Sequence, residues 1–377
     1  MEVDKIFMPL GVWLIPIDTL GIPMNLDLLG WSDDLALSFA PFAAQQFQVG
    51  RVARQHKQLY TLYTEVGELA AEISGKFRYQ IQSTEDLPCV GDWVVISAAG
   101  QTATIQHLLP RRTLFSRKVA GGTTEVQLIA ANLDSVFLVC GLDHDFNVRR
   151  IERYLVMIWE SGARPIIILN KVDIGEQIEQ RLFDLETIAL GIPMVQISAL
   201  HNQGLDELSP WLQPGKTIAL VGSSGVGKST ITNQLMGEQI QAVQAVRADD
   251  SRGRHTTTSR QLICLPSGSI LIDTPGLREL QLWTTQTGVA NAFNEIEALA
   301  EHCRFRDCQH QQEPGCAVQA ALASGQLEAQ RLQSYQKLRK EEAYLHRKQN
   351  QKAQINTKAR WKKITKSMRQ RQKNQWQ

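Results

Sequence analysis

"KTIALVGSSGVGKSTITNQLMG", residues 216–237, holds a strand, a loop and a helix in one short stretch. Ile218 to Val221 form an uninterrupted apolar run, the pattern of a parallel strand buried on both faces. Gly222-x4-Gly227-Lys228-Ser229 follows with the spacing of a phosphate-binding loop, between strand and helix as that loop requires. Its glycines let backbone N–H groups converge on phosphate oxygens, and the helix N-terminus adds its positive end. The loop assigned to phosphate is Gly222, Ser223, Ser224, Gly225, Val226, Gly227, Lys228, Ser229 and Thr230. Lys228 bridges the terminal phosphates, a catalytic role as well as a binding one, and the Ser229 hydroxyl ligates Mg²⁺.

Two further phrases specify the nucleotide. "SILIDTPG", residues 269–276, ends a strand at Asp273, where a carboxylate holds Mg²⁺ through water, and places Gly276 to offer its N–H to a γ-phosphate. "NKVD", residues 170–173, follows the apolar strand "RPIIIL". Asp173 can accept hydrogen bonds from both N1–H and the 2-amino group of guanine. Adenine has no such amino group and carries an acceptor at N1, so the carboxylate would stay unpaired. Asn170 ties neighbouring loops together, the Lys171 stem lies over the base, and a backbone N–H of Ser198 or Ala199 is placed to reach guanine O6. Between the loop and DTPG lies "RADDSRGRHTTTSR", residues 247–260, the place for a first switch. Thr257 is assigned there to Mg²⁺ and the γ-phosphate. Leu277 follows DTPG, and an apolar side chain cannot orient an attacking water, so His255 is the candidate for that task.

Base recognition therefore precedes phosphate recognition, the reverse of the usual order. Strands alternate with helices from residue 135 to residue 273, which predicts a mostly parallel sheet covered on both faces, with ligands at the C-terminal strand ends. All three phrases fall at such ends. The reading is a circularly permuted α/β P-loop GTPase domain over 113–288. Opening a compact domain elsewhere leaves its sheet intact, because its termini lie close together.

Flanking segments have other textures. Residues 47–112 read as short β-rich pieces ("QFQVGRVARQHKQLYTLYT", "GELAAEISGKFRYQI", "VGDWVVIS", "ATIQHLLP"), consistent with a five-stranded OB-like β-barrel. Residues 1–46 form an apolar, Pro- and Gly-punctuated extension without a motif. Within 289–345, Cys303-x4-Cys308-x-His310-x5-Cys316 offers three thiolates and one imidazole for a single tetrahedral Zn²⁺, in a zinc-binding helical domain. From Lys337 to Gln377 fourteen Lys or Arg face only Glu341 and Glu342, so this stretch carries +12 and the first 336 residues −10 of the total +2. Trp361 and Trp376 interleave the basic tail, residues 346–377, which suits RNA through charge and stacking. The longest apolar run, Ile6 to Ile17, is short and broken by Pro9, Gly11 and Pro16, which argues against a membrane span. Six scattered cysteines fit a reducing cytoplasm, and a monomer is expected.

This combination resembles the small-ribosomal-subunit-dependent GTPases, the RsgA family, from about Phe47 to Leu345. "GSSGVGKST", "RHTTT", "DTPG", "NKVD" and "CRFRDCQHQQEPGCAV" carry the likeness. It implies GTP hydrolysis to GDP stimulated by the small subunit, a role late in that subunit's maturation, direct contact with its rRNA, and a hydrolytic histidine at His255. Two other readings are compatible with parts of the chain. One is a nucleotide-gated RNA-binding scaffold in which hydrolysis is incidental. The other is a rotated GTPase acting on the large subunit, which the OB-like and zinc segments disfavour.

Overall fold

The computed structural model describes residues 24–56, 58–118, 126–186, 188–237, 260–273, 286–311, 313–341, 343 and 347. His255, Thr257, Leu277, Gly276 and residues 348–377 of the basic tail lie outside them. The chain divides into two compact units, Met1–Leu282 and Trp283–Gln377.

In the first unit, helix α1 (Asp33–Ala43) precedes strands β1 (Gln48–His56), β2 (Leu59–Thr64) and β3 (Gly67–Ile73), helix α2 (Gly75–Gln80), and strands β4 (Trp93–Ala99) and β5 (Thr102–Leu108). β1, β2 and β3 run antiparallel, β3 pairs parallel with β5, β5 returns antiparallel to β4, and β4 closes on β1. The result is a closed five-stranded barrel filled by Val52, Leu62, Leu69, Val94, Ile96 and Ile105. "GELAAEISGKFRYQI" is strand only in its first half. The Ser74 hydroxyl accepts from the Phe77 N–H at 3.1 Å and caps α2, which buries Phe77 against the barrel. Part of the extension is ordered too: Trp31 meets Trp93 edge-on, with ring centroids 4.8 Å apart.

Strands β6 (Leu114–Lys118) and β7 (Val126–Ala131) form a separate antiparallel ribbon, which no sequence pattern announced. Then follow β8 (Ser135–Gly141), α3 (Val148–Ser161), β9 (Arg164–Asn170), α4 (Ile178–Glu186), β10 (Met194–Ile197), β11 (Thr217–Val221), α5 (Lys228–Met236), β12 (Gln261–Cys264) and β13 (Ile270–Asp273). Their order across the sheet is β10-β9-β8-β11-β13-β12. All neighbours are parallel except β12, which runs antiparallel to β13. β11, which feeds the glycine loop, is therefore central although it comes late in the chain. That placement is the circular permutation expressed as topology. The alternation of strands and helices predicts a helix for "GLDELSPWL"; it forms 3-10 turns over Leu205–Trp211, where Pro210 removes a donor that an α-helix needs.

Barrel and sheet are joined by the antiparallel pairing of β1 with β12, Arg54 opposite Gln261, and by the side chain of Arg51. It is 1% exposed, and its guanidinium donates to Gly91 O (3.2 Å), to Thr217 Oγ1 (2.9 Å) at the start of β11, and to Leu29 O. Burial pulls its pKa down to about 10, against the opposing pull of Asp134, so it stays charged at neutral pH. Arg51→Met should lower stability by roughly 3 kcal/mol, because Leu29 O and Thr217 Oγ1 would be left buried without their donor. A denaturant midpoint within error of wild type would refute this.

The second unit contains α6 (Gln286–Ala292), α7 (Asn294–Ala300), α8 (Ala317–Ala323) and a further helical stretch over 329–341. Arg331 fastens it: Nε donates to Glu295 Oε1 at 2.7 Å while the guanidinium lies 4.1 Å from the Phe293 ring centroid.

Candidate functional site

Asn170 ends β9 and is 3% exposed. Its Nδ2 donates to Val226 O in the glycine loop at 2.8 Å, and its Oδ1 accepts the Ala199 N–H at 2.9 Å. One amide thus fastens the NKVD turn, the turn after β10 and the phosphate loop to each other. Only glycine fits at 227: a Cβ there would lie 2.2 Å from Asn170 Nδ2, and the residue sits at φ +101°. Gln234 adds a second tie, its Nε2 donating from α5 to Ala199 O at 3.1 Å.

The Asp173 carboxylate is held by the Ser198 hydroxyl, which donates to Oδ1 at 2.6 Å, and it has His201 Nε2 at 3.7 Å from Oδ2. The N–H groups expected to read guanine O6 are engaged within the protein. Ser198 N–H donates to Gln203 O at 3.0 Å and Ala199 N–H to Asn170 Oδ1. Ser198 reaches the NKVD turn through its hydroxyl. Lys171 sits at φ +69°, and its Nζ donates to Asp143 Oδ2 at 2.6 Å.

On the phosphate side, Lys228 Nζ donates to the carbonyls of Gly222 (2.8 Å) and Ser223 (2.5 Å), so its charge lies across the loop. Ser229 and Thr230 occupy the first turn of α5, and Asp273 ends β13, the parallel neighbour of β11. These groups fit a Mg²⁺-nucleotide chemically: hydroxyl and carboxylate oxygens for a hard cation, beside an ammonium and a helix N-terminus for phosphate.

The second constellation is Cys303, Cys308, His310 and Cys316, whose ligand atoms all lie within 4.8 Å of one another. Tetrahedral Zn²⁺ with Zn–S of about 2.3 Å and Zn–N of about 2.05 Å requires S···S edges of about 3.8 Å and S···N edges of about 3.6 Å. Cys303 Sγ and Cys316 Sγ are 3.8 Å apart, and His310 Nδ1 lies 3.6 Å and 3.5 Å from them. Burial pushes the Cys303 thiol up, but the backbone N–H groups of Val318 and Ala317 outweigh it and hold its pKa below the ordinary value. The His310 carbonyl accepts from Gln319 Nε2 (2.6 Å) and Gln336 Nε2 (3.0 Å), which fixes a residue at φ +57°.

Sequence reasoning missed Asp143, Gln234, His201 and the two glutamines behind His310. Asp143 alone had a signal, standing two residues beyond the end of a buried strand.

Comparison with known proteins places this arrangement. The family profile described as RsgA GTPase matches residues 108–283, and one described as 50S ribosome-binding GTPase matches 217–355. The chain is 45% identical over 361 residues to the small ribosomal subunit biogenesis GTPase RsgA of Opitutus terrae, covering 93% of this chain and 98% of that protein. The protein of the same name from Methanosarcina acetivorans is 42% identical over 336 residues, 89% of each chain. The crystal structure of YjeQ from Thermotoga maritima superposes with a TM-score of 0.59 at 26% identity, covering 79% of this chain and 99% of that one. YloQ, titled a circularly permuted GTPase, gives 0.57 at 22% identity over 79% of this chain and 95% of its own, and carries the fold alone.

Proposed function

The chain belongs to the RsgA family of GTPases, and from that premise we propose that it acts in maturation of the small ribosomal subunit, binding GTP, hydrolysing it when docked there, and contacting ribosomal RNA. Hydrolysis of GTP to GDP and phosphate is the family's activity. The observation that supports the site is the Asn170 amide, which bonds at once to Val226 O and the Ala199 N–H. A carboxylate that reads a purine and a loop that cradles its phosphates are thereby held on one strand-end edge.

In this reading Asp173 selects guanine. Gly222 to Thr230 bind the phosphates, and Lys228 turns from the loop carbonyls to the β- and γ-phosphates. Mg²⁺, when bound, neutralises charge developing on the phosphate oxygens, and Ser229, Thr257 and Asp273 would hold it. Gly276 senses the γ-phosphate, and His255 orients the attacking water. Cys303, Cys308, His310 and Cys316 would hold one structural Zn²⁺, a set of four protein ligands that suits bracing the fold and not catalysis. The basic tail neutralises rRNA phosphates. Among the described residues no helix is long and apolar enough to cross a membrane. A chain that acts on ribosomal subunits is placed in the cytoplasm, here as a monomer.

GTPase assays with purified small and large subunits, run separately across a salt series, test this. Turnover should rise with small subunits alone, and the stimulation should fall steeply with salt as phosphate contacts are screened. Equal stimulation by both subunits, or by neither, would contradict the proposal. In the same assay His255→Ala should keep GDP affinity while depressing turnover; unchanged turnover would remove His255 from the mechanism.

A further inference from the structure

Asp143 lies outside every motif, yet it receives the Lys171 ammonium, Nζ to Oδ2 at 2.6 Å. Its own place is fixed from several sides. Oδ1 accepts the Asp145 N–H at 3.1 Å, and the Asp143 carbonyl accepts from Arg181 Nη1 of α4 at 3.3 Å. The Leu142 N–H donates to Asn170 O at 2.8 Å, so the turn after β8 and the NKVD turn share a hydrogen bond. Gly141 makes room, since a Cβ there would stand 2.7 Å from Asp143 Oδ1. The carboxylate is 11% exposed and the lysine side chain 23%, so the pair sits against the protein and not out in solvent. Burial would raise the Asp143 pKa, but the Lys171 ammonium and the Asp145 N–H hold it below the ordinary value, so it stays ionised at neutral pH.

A lysine stem packs on a base only if its four methylenes are held in one course, and a free lysine loses rotamer entropy on being so ordered. Anchoring the ammonium at one end and the left-handed Cα at the other settles that course before nucleotide arrives. We propose that Asp143 is a positioning residue for guanine-nucleotide binding, holding Lys171 so that its stem forms one wall of the base site. This rests on the assignment of residues 170–173 as the base-binding turn. The contribution is to binding and not to hydrolysis, because stem–base packing is the same in ground and transition states.

The test is a double-mutant cycle in the full chain, read by the Kd of fluorescent N-methylanthraniloyl-GDP and by KM and kcat for GTP with small subunits. Asp143→Asn should weaken GDP by about tenfold and raise KM with kcat kept, the signature of lost uniform binding. In a Lys171→Ala background the same change should add less than about twofold, since its partner is already gone. Losses that multiply in the double variant would overturn the proposal by marking Asp143 as a general support of the loop. Unchanged affinity in Asp143→Asn would overturn it as well. If Asp143→Asn does not fold, Lys171→Met keeps the stem and removes the ammonium; about a tenfold loss is again expected, and none would be decisive against. Asp173→Asn separates the two readings. If it leaves GDP binding intact, the base-turn assignment fails and Asp143 with it. If it abolishes GDP binding while Asp143→Asn changes nothing, only the present proposal falls.

Discussion

Stripping the metal from Cys303, Cys308, His310 and Cys316 should unfold the second unit while GDP binding survives. Its helices α6, α7 and α8 have seven residues each and the stretch over 329–341 thirteen, too short to persist alone. Its core is correspondingly small, built around Val289, Phe293, Ile296, Val318, Leu332, Tyr335 and Leu338. A core of this size supplies no more than about 3–5 kcal/mol, whereas structural Zn²⁺ binding contributes about 10–16 kcal/mol at neutral pH. The metal term is the larger, and its loss cannot be absorbed. Addition of a strong chelator, or Cys316→Ser, should remove the helical circular-dichroism signal of this unit, release one equivalent of Zn²⁺ to a colorimetric dye, and leave the Kd for GDP within about twofold. Retention of the full helical signal after complete metal release would show that the helices stand without it. The Arg331 clamp on Glu295 and Phe293 would then have to be worth several kcal/mol more than an ion pair of its kind gives.

What could be read beforehand divides along a physical line. Motifs whose chemistry fixes spacing within a few residues were legible as local structure: the strand, loop and helix around Gly222 to Thr230, and the convergence of Cys303, Cys308, His310 and Cys316. So was the permuted sheet, since buried parallel strands carry continuous apolar runs, as residues 136–140 do within Ser135–Gly141. Contacts made across long sequence separations left no local trace of which residues pair. Asp143 reaches Lys171 across 28 residues and Gln234 reaches Ala199 across 35, through sheet order and not through pattern. Arg51 is the extreme case. In sequence it is one more basic residue on a strand; in the fold it is a buried donor to three segments, reaching Thr217 over 166 residues. Short elements also escaped when a cap outweighed propensity. Ser74 turned the second half of an apparent strand into α2, and Pro210 turned an apparent α-helix into 3-10 turns.

Replacing Asp173 by asparagine should reverse the choice of base and not merely weaken binding. The carboxylate is acceptor-only, so it matches the two donors of guanine's N1–H and 2-amino edge. Asparagine presents one acceptor and one donor. Against guanine its amide nitrogen would face the 2-amino group, leaving two buried donors in opposition and one charge-assisted bond lost, a combined cost of roughly 3–4 kcal/mol or about 10²–10³ in affinity. Xanthine carries a carbonyl at that carbon and keeps its N1–H, so the same amide pairs with both. The side chain should hold its place in the variant, because the Ser198 hydroxyl now donating to Oδ1 at 2.6 Å can donate to an amide oxygen or accept from an amide nitrogen. Kd values for fluorescent GDP and XDP should therefore move in opposite directions. Phosphates and ribose are common to both ligands, so every contact from Lys228 and the glycine loop cancels in the ratio, which reports the base edge alone. An equal loss for both nucleotides would mean that position 173 supports the loop without touching the purine. The Asn170 tie between base loop and phosphate loop would then be scaffolding without a reader.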